Sequence, residues 1–241
     1  MNKTAFMVLA VIAAALLSFG LHAAMNAPSI YVPAANSAKE RELSEIFRIF
    51  YYHVPSAWTA FLLFFANFIA SVAYLWKRKP AADAFALATA EVGVVFCTVV
   101  LVTGPIWARP VWGIWWTWDA RLTTTLVLWL IYISYLLLRR YSTGGQTPVL
   151  AAVLAVFGFL DVPLVYMSIR WFRTQHPQPV IGGGEGSGIA PPMMQALLVN
   201  FSAFLVFAIL LVWLRYAMGR MRAQLEERHA LAAVSTAGAE R

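Results

Sequence analysis

The sequence predicts an all-α integral membrane protein with six transmembrane helices. Of its 241 residues, 61% are hydrophobic and 12% are charged, whereas about a quarter of the residues in soluble domains are charged. Segments of roughly 20 apolar residues can cross a bilayer as helices, and six such segments cover residues 4–24, 57–76, 84–103, 122–138, 148–168 and 195–214. We therefore expect one polytopic membrane domain over residues 1–241, without a separate soluble domain.

The distribution of Lys and Arg predicts how these helices are oriented. A cytoplasmic N-terminus assigns eleven of the 18 basic side chains to the cytoplasm and seven to the opposite side. The two tight loops, with the basic runs 77–79 and 139–140, are then both cytoplasmic, as the positive-inside rule requires. Both termini are thus expected in the cytoplasm, with a basic tail over residues 215–241.

Several classes of protein are disfavoured by composition. The formal charge of +7 does not indicate nucleic-acid binding, because the basic residues lie in short segments between apolar runs and form no single patch. The only cysteine, Cys97, excludes an internal disulfide, a CxxC redox pair and a CxxCH attachment site. The sequence contains no GxxxxGK[ST] phosphate loop, so it offers no motif for ATP hydrolysis by that route.

The first apolar segment has two interpretations. Its basic start at Lys3 and the small residues Ala23 and Ala24 also fit a secretory signal peptide. The apolar stretch is longer than the usual signal core of about 7 to 15 residues, which favours an uncleaved helix. Either interpretation leaves the orientation of the remaining helices unchanged.

Residues 25–56 are expected outside the membrane and predict an amphipathic helix on its surface. Residues 37–40, Ser-Ala-Lys-Glu, match a capping box. Apolar and charged residues then separate onto two helical faces, with Leu43, Ile46, Phe47 and Phe50 opposite Glu42, Glu45 and Arg48. The pattern predicts that Pro55 ends this helix and that His53 continues its apolar face.

The densest feature is a Trp-rich segment, residues 107–121, within an external loop predicted at about residues 104–121. Five of the ten tryptophans fall within twelve residues of it, at Trp107, Trp112, Trp115, Trp116 and Trp118. An aromatic belt at the membrane interface would spread its tryptophans over several helix ends. Indole rings also offer flat, rigid surfaces for stacking, so the segment predicts a site for a planar, conjugated ligand.

Arginines border this segment. Arg109 and Arg121 flank the tryptophans, and Arg170 and Arg173 are expected on the same side of the membrane. Guanidinium groups pair bidentately with carboxylates, so they are candidates to bind the acidic groups of a ligand. Phospholipid headgroups are the alternative partner for each of them.

Two of the four histidines, His53 and His176, are expected on the same side as the tryptophans. Each is followed closely by a proline, Pro55 or Pro177, which limits the local backbone. Imidazole is a common axial ligand of haem iron. The pair is therefore a candidate set of iron ligands, with ordinary interfacial histidines as the alternative.

The string 112–123, Trp-Gly-Ile-Trp-Trp-Thr-Trp-Asp-Ala-Arg-Leu-Thr, resembles the WWD signature of the haem-handling proteins that comprise the CcmC, CcmF and CcsA families. Residues 53–58, His-Val-Pro-Ser-Ala-Trp, resemble the first external histidine motif of the CcmC family. The segment from Asp161 to Pro177 resembles the second motif. Length, helix number and motif order agree with CcmC, so the resemblance covers most of the chain.

The resemblance implies transient, non-covalent binding of haem b at the periplasmic face of the bacterial inner membrane. His53 and His176 would be the axial ligands, and the remaining site residues would be Trp107, Trp112, Trp115, Trp116, Trp118, Asp119, Arg109 and Arg121. It also implies delivery of haem to the chaperone CcmE and association with CcmD, with the ABC transporter CcmA–CcmB and with membrane lipid. The expected class is a haem-handling transport protein, without catalytic residues.

Two other functions remain as alternatives. A haem lyase-like protein of the CcmF or CcsA type would be larger and would carry histidines within its membrane helices. No histidine lies in the middle of an apolar segment in this sequence. A general small-molecule permease is expected to show polar residues along several helices or an internal repeat, and no clear repeat is present.

Two acids, Glu91 and Asp161, lie within the third and fifth apolar segments. Ionisable groups in a membrane are costly and usually pair within the helix bundle. We favour interhelical hydrogen bonds over a polar pathway for both, with Asp161 beside a helix break at Pro163. Cys97 is interpreted as a packing residue.

Overall fold

The computed structural model describes residues 3–28, 38–179, 181 and 188–239, with the backbone alone at 38–41, 230 and 233–239. This part of the chain is helical and contains no β-strand. Its α-helices are α1 (Lys3–Asn26), α2 (Ala38–Ile46), α3 (Phe50–Lys77), α4 (Pro80–Trp112), α5 (Ala120–Tyr141), α6 (Thr147–Phe159), α7 (Asp161–Trp171) and α8 (Pro191–Ala239).

Six helical stretches in the described residues are long and apolar enough to cross a membrane. They are Lys3–Asn26, Glu42–Lys77, Pro80–Trp112, Ala120–Tyr141, Thr147–Trp171 and Pro191–His229. The prediction of an all-α fold with six membrane helices is confirmed. The chain is a multi-pass membrane protein.

Helix α3 lies at the centre of the bundle and packs against α4, α6 and α8. Phe64 of α3 stacks on Tyr132 of α5 with ring centroids 3.8 Å apart, and both side chains are fully buried. A second apolar cluster joins the end of α1, the start of α3 and the start of α8, through residues that include Ala24, Tyr51 and Leu197. This second cluster lies at the end of the bundle where α4 ends and α5 begins, which we call the Trp-rich end.

Helices α1 and α8 approach each other closely at Gly20. Asn200 Nδ2 donates to the carbonyl oxygens of Gly20 at 3.0 Å and of Ala196 at 2.8 Å. A Cβ atom on Gly20 would lie 2.8 Å from Asn200 Oδ1, so a larger residue there would displace the Asn200 side chain. Small residues that bring backbones together, with polar side chains bonded across them, are typical of helix contacts in membranes.

The third membrane helix is longer than predicted. It was expected to end near Thr103, but α4 continues through Pro105 and Pro110 to Trp112. Proline is tolerated within membrane helices because neighbouring groups compensate for the lost hydrogen bond. Within the predicted external loop at 104–121, residues 104–112 belong to α4, and the irregular part is residues 113–119, between α4 and α5.

The start of α3 also differs from the prediction. Pro55 was expected to end the amphipathic helix, but it lies inside α3, which begins at Phe50 after a 3-10 turn at Phe47–Ile49. Pro55 is the sixth residue of α3 and has no N–H to donate to the carbonyl of Tyr51, a loss that membrane helices tolerate. His53 is consequently part of the membrane helix itself. The expected capping box begins at Ser37, which lies outside the described residues.

The amphipathic character predicted for this region is present. Phe47 is buried, whereas Glu42 and Glu45 are exposed. Arg48 was placed on the charged face, but its Nη1 donates to the carbonyl oxygens of Ala24 at 2.8 Å and Ala27 at 3.2 Å. It thereby satisfies carbonyl groups near the C-terminus of α1, which lack partners within their own helix.

The last helix is also longer than its apolar segment. α8 was expected to end near Leu214, but it continues to Ala239 through the predicted basic tail. Arg222 Nε donates to Glu226 Oε1 at 3.0 Å, four residues along the same helix. The tail is rich in Ala, Leu, Glu, Gln and Arg, which have high helix propensity. The helix therefore continues beyond the end of the apolar segment.

The two membrane acids have different surroundings. Glu91 of α4 accepts from Arg215 of α8, with Oε2 2.7 Å from Nε and Oε1 2.6 Å from Nη2, which confirms an interhelical bond. Asp161 Oδ2 is buried without a hydrogen-bond partner among the described residues, so the same prediction is wrong for that atom. The expected break occurs at Leu160, between α6 and α7, because Pro163 has no N–H for the carbonyl of Phe159.

Candidate functional site

A mainly apolar cavity of about 310 Å³ opens at the Trp-rich end of the bundle. Its walls come from the 3-10 turn, α3, α4, the segment between α4 and α5, α5, α7 and, after α7, residues 176–179 and 181. Ligand pockets usually measure about 300 to 1,000 Å³. Of the candidate residues chosen from the sequence, those that line it are His53, Trp107, Trp112, Trp116, Arg121 and His176.

His53 lies on the first turn of α3, and its ring is held by a threonine of α4. His53 Nδ1 is 2.8 Å from Thr103 Oγ1. The Thr103 hydroxyl itself donates to the carbonyl of Val99 at 2.7 Å, so its oxygen accepts from the imidazole. The proton of neutral His53 therefore lies on Nδ1, and Nε2 keeps a free lone pair.

His176 lies in the irregular segment that follows α7. Its Nδ1 is 2.8 Å from the carbonyl oxygen of Pro177. A carbonyl can only accept, so Nδ1 carries the proton and Nε2 again keeps the lone pair. Burial of the ring, together with the nearby Arg121 guanidinium, lowers the pKa of His176 to about 4, so the ring is neutral at pH 7.

Arg121 brings a positive charge to the cavity from the first turn of α5. Its Nη1 donates to the carbonyl oxygen of Val165 in α7. Among the described residues it forms no ion pair with a carboxylate. A partly buried guanidinium is costly to desolvate unless it is paired, so Arg121 favours a ligand with an acidic group.

The five tryptophans separate into two sets. Trp107 and Trp112 line the cavity and meet edge to face, with centroids 5.2 Å apart at 81°. Trp116 also lines it, and its Nε1 is buried without a hydrogen-bond partner in the described chain. Trp115 and Trp118 do not line the cavity and are exposed, with exposed fractions of 59% and 75%. The five tryptophans were expected to form one surface for a planar ligand. In the structure three of them line the cavity and two lie on the protein surface.

Arg109 and Asp119 do not line the cavity in the described structure. Arg109 Nη1 donates to the carbonyl oxygen of Gly113, just beyond the end of α4. Asp119 is the N-cap of α5: its Oδ1 accepts from Leu122 N at 3.0 Å. Its Oδ2 accepts from the hydroxyl groups of Thr117 at 3.3 Å and Thr174 at 2.8 Å.

Sequence reasoning missed the residues that orient the two histidines. Thr103 is 50 residues from His53 and is paired with it only by the packing of α3 on α4. Thr174 is two residues from His176 and accepts from its backbone N–H at 3.0 Å. A threonine close to a candidate ligand in a loop is a weak signal that could have singled out Thr174, but Thr103 carries no such signal.

His53, His176, Arg121 and three tryptophans therefore line one mainly apolar cavity, and each imidazole keeps its Nε2 unprotonated. This set can bind a flat metal complex with carboxylate groups, since imidazole ligates iron and other transition metals. Residues 1–233 match the model of the family described as CcmC, heme exporter protein C. The chain belongs to the CcmC family.

Individual members of the CcmC family support this assignment. Heme exporter protein C of Bradyrhizobium diazoefficiens is 34% identical over 197 residues, covering 81% of this chain and 71% of that protein. Heme exporter protein C of Haemophilus influenzae is 36% identical over 174 residues, covering 71% and 70% respectively. The protein of the same name from Escherichia coli K12 is 33% identical over 176 residues, covering 70% and 68%.

Proposed function

We propose that this protein binds haem in the cavity at the Trp-rich end and presents it to the chaperone CcmE during cytochrome c maturation. The observation that carries the proposal is the meeting of His53, His176 and Arg121 around one cavity. Family membership supports a role in haem handling, because the relatives are named heme exporter protein C. The cargo we propose is haem b, bound transiently and without covalent bonds.

The donor set fits both parts of a haem molecule. The free Nε2 atoms of His53 and His176 suit axial ligation of iron, and their Nδ1–H groups are already bonded to Thr103 and Pro177. Such outer bonds fix the tautomer of a metal-bound histidine. Haem iron bound by two imidazoles would be low-spin, which absorption spectroscopy detects.

The propionate groups and the porphyrin ring of haem each have candidate partners in the cavity. Arg121 would pair with a propionate, because it is the cavity's guanidinium and lacks a carboxylate partner in the described chain. Trp107, Trp112 and Trp116 would pack against the apolar ring, and the unpartnered Trp116 Nε1–H could donate to the ligand. Arg109, Trp115, Trp118 and Asp119, which the sequence also predicted as binding residues, do not line the cavity, so the proposed binding set omits them.

The proposed setting follows from the charge distribution. The Trp-rich end would face the periplasm and the basic loops the cytoplasm of a bacterial inner membrane. We further propose association with CcmD and with the ABC transporter CcmA–CcmB, as the family resemblance implies. The protein's own residues would hold and orient haem, while partners would supply any covalent or ATP-driven step.

Absorption spectroscopy of the purified full-length protein tests the proposal. We expect a low-spin haem spectrum in the wild type and its loss in His53→Ala and in His176→Ala. The matched control is His22→Ala, because His22 is exposed on α1 and contacts only Asn26 in the hydrogen bonds described. Unchanged haem content and unchanged CcmE loading in both cavity variants would overturn the proposal.

A further inference from the structure

We propose that Asp119 and Thr174 are positioning residues for His176: their hydrogen bond ties the histidine segment to the start of α5. The proposal rests on the haem-binding function proposed above and assigns Asp119 a role different from ligand contact. A carboxylate at the end of the Trp-rich segment thereby sets the place of an iron ligand that lies 57 residues further along the chain.

The link is a continuous chain of hydrogen bonds. Asp119 Oδ2 accepts from Thr174 Oγ1 at 2.8 Å, and Thr174 Oγ1 accepts from the backbone N–H of His176 at 3.0 Å. The His176 ring then donates from Nδ1 to the carbonyl of Pro177 at 2.8 Å. The backbone N–H and the ring Nδ1–H of His176 therefore each have a defined acceptor, while Nε2 stays free.

The direction of each bond is fixed by chemistry. An ionised carboxylate only accepts, so the single hydroxyl proton of Thr174 goes to Asp119. The Thr174 oxygen is then free to accept from His176 N–H. A hydrogen bond to an ionised acceptor is about twice as strong as one between neutral groups. The bond from Thr174 to Asp119 is therefore the strongest of these linked hydrogen bonds.

Asp119 is itself held in a rigid element. Its Oδ1 caps α5 by accepting from Leu122 N at 3.0 Å, and a helix cap holds its side chain in one orientation. Arg121 enters the cavity from the same first turn of α5. One helix start thus provides the cation of the cavity and fixes the segment that carries one imidazole.

The two histidines are consequently held in different ways. His53 belongs to a membrane helix and bonds to a neighbouring helix through Thr103. His176 lies in a segment without regular secondary structure, residues 172–179, whose described side-chain bond to the bundle runs through Thr174. Loss of the Thr174 hydroxyl should therefore release His176 and leave His53 in place.

Chemical labelling of the haem-free, full-length protein gives the first test. Diethyl pyrocarbonate modifies the free nitrogen of neutral imidazole, and mass spectrometry reports the rate at each histidine. We expect Thr174→Val to raise the labelling rate of His176 by roughly tenfold, about the equilibrium effect of one such bond. The rate at His53 should stay within twofold, and Thr174→Ser should restore the wild-type rate at His176.

Thr117→Val is the matched control. Thr117 also donates to Asp119 Oδ2, at 3.3 Å, but has no described bond to His176. If the hydroxyl groups mattered only by stabilising Asp119, Thr174→Val and Thr117→Val would change the labelling of His176 equally. Equal His176 labelling in Thr174→Val, Thr117→Val and the wild type would overturn the proposal, as would equal increases in both variants.

Haem titration gives the second test. We expect Thr174→Val to bind haem with a spectrum that has lost its low-spin character and regains it when free imidazole is added. A low-spin spectrum in Thr174→Val without imidazole would contradict the positioning role. If the wild type binds no haem, the proposed function fails, while the labelling result still decides whether Thr174 positions His176.

Discussion

His53 Nδ1 and Thr103 Oγ1 lie 2.8 Å apart, and this bond joins the first turn of α3 to α4 at the wall of the cavity. The threonine hydroxyl donates to Val99, so it receives the imidazole proton and leaves Nε2 free. The position one residue later is Gly104, where a Cβ atom would lie 3.5 Å from His53 Cε1. The ring therefore lies against α4, with Nδ1 bonded to a fixed acceptor and Cε1 close to Gly104.

Replacement of Thr103 by valine should weaken haem binding. Valine has nearly the shape of threonine but cannot accept the Nδ1 proton, so the ring loses its fixed tautomer and orientation. Loss of such an outer partner typically lowers metal affinity about 10- to 100-fold, and we expect the lower end of this range. Haem titration followed by absorption spectroscopy measures the affinity, and redox titration measures the accompanying change in potential.

Two controls belong with the Thr103 variant. Thr103→Ser keeps the hydroxyl and should restore most of the affinity. Thr98→Val removes a hydroxyl of the same helix that bonds to Trp129 and Val94 and does not line the cavity. Equal haem affinity in Thr103→Val and Thr103→Ser would show that the bond does not orient the ligand.

Replacement of Arg121 by glutamine should remove the preference for acidic ligands. The wild type should bind haem more tightly than haem dimethyl ester, because the ester has no carboxylate to pair with the guanidinium. We expect the variant to bind both compounds equally, with haem affinity lowered about tenfold, a typical effect for one charged hydrogen bond. Parallel titrations with the two compounds provide the measurement.

Arg109→Gln is the comparison for this experiment. Arg109 bonds to the carbonyl of Gly113 and does not line the cavity, so its variant should keep the preference for haem over the ester. If Arg109→Gln loses that preference and Arg121→Gln retains it, the assignment of the cavity cation is wrong.

Replacement of Gly113 by alanine should destabilise the protein by about 1 kcal/mol, because L residues disfavour the left-handed conformation. Gly113 has φ +79°, and its N–H closes α4 by donating to the carbonyl of Arg109 at 3.0 Å. Nothing lies within 4 Å of its Cβ position, so the effect comes from the backbone and not from a clash. Thermal unfolding in detergent measures the change.

Gly219 provides the opposite control. It lies within α8 with open space at its Cβ position and no left-handed φ. Alanine has the higher helix propensity, so Gly219→Ala should leave the unfolding temperature unchanged or raise it. A lower unfolding temperature for Gly219→Ala than for Gly113→Ala would refute the conformational explanation.

Much of the fold could be predicted because a bilayer imposes simple requirements. A helix that crosses it needs about 20 apolar residues, so the number and order of the membrane helices followed from hydropathy. Their ends did not, because hydropathy reports the lipid-facing length and not the helix length. α4 passes Pro105 and Pro110, and α8 continues to Ala239, beyond the apolar segments that predicted them.

The candidate site was predictable in kind but not in detail. The residue types of the Trp-rich segment and the two histidines indicated a flat ligand with a metal and acidic groups. Side-chain direction within the segment was not readable, because the turn at Gly113 and the cap at Asp119 decide which tryptophans face inward. Trp116 consequently lines the cavity, whereas Trp115 and Trp118 are exposed.

The sequence by itself determined that this is a helical, multi-pass membrane protein and that its aromatic, cationic and imidazole groups concentrate around the same predicted face. Composition, local spacing and the alternation of successive membrane helices suffice for these properties, because none of them requires knowledge of which helices pack together. Only the tertiary structure decided that His53 and His176 line one cavity, and that Thr103 and Thr174 orient them. These contacts join helices and segments far apart in the chain, and the packing that creates them leaves no periodic signal in the sequence.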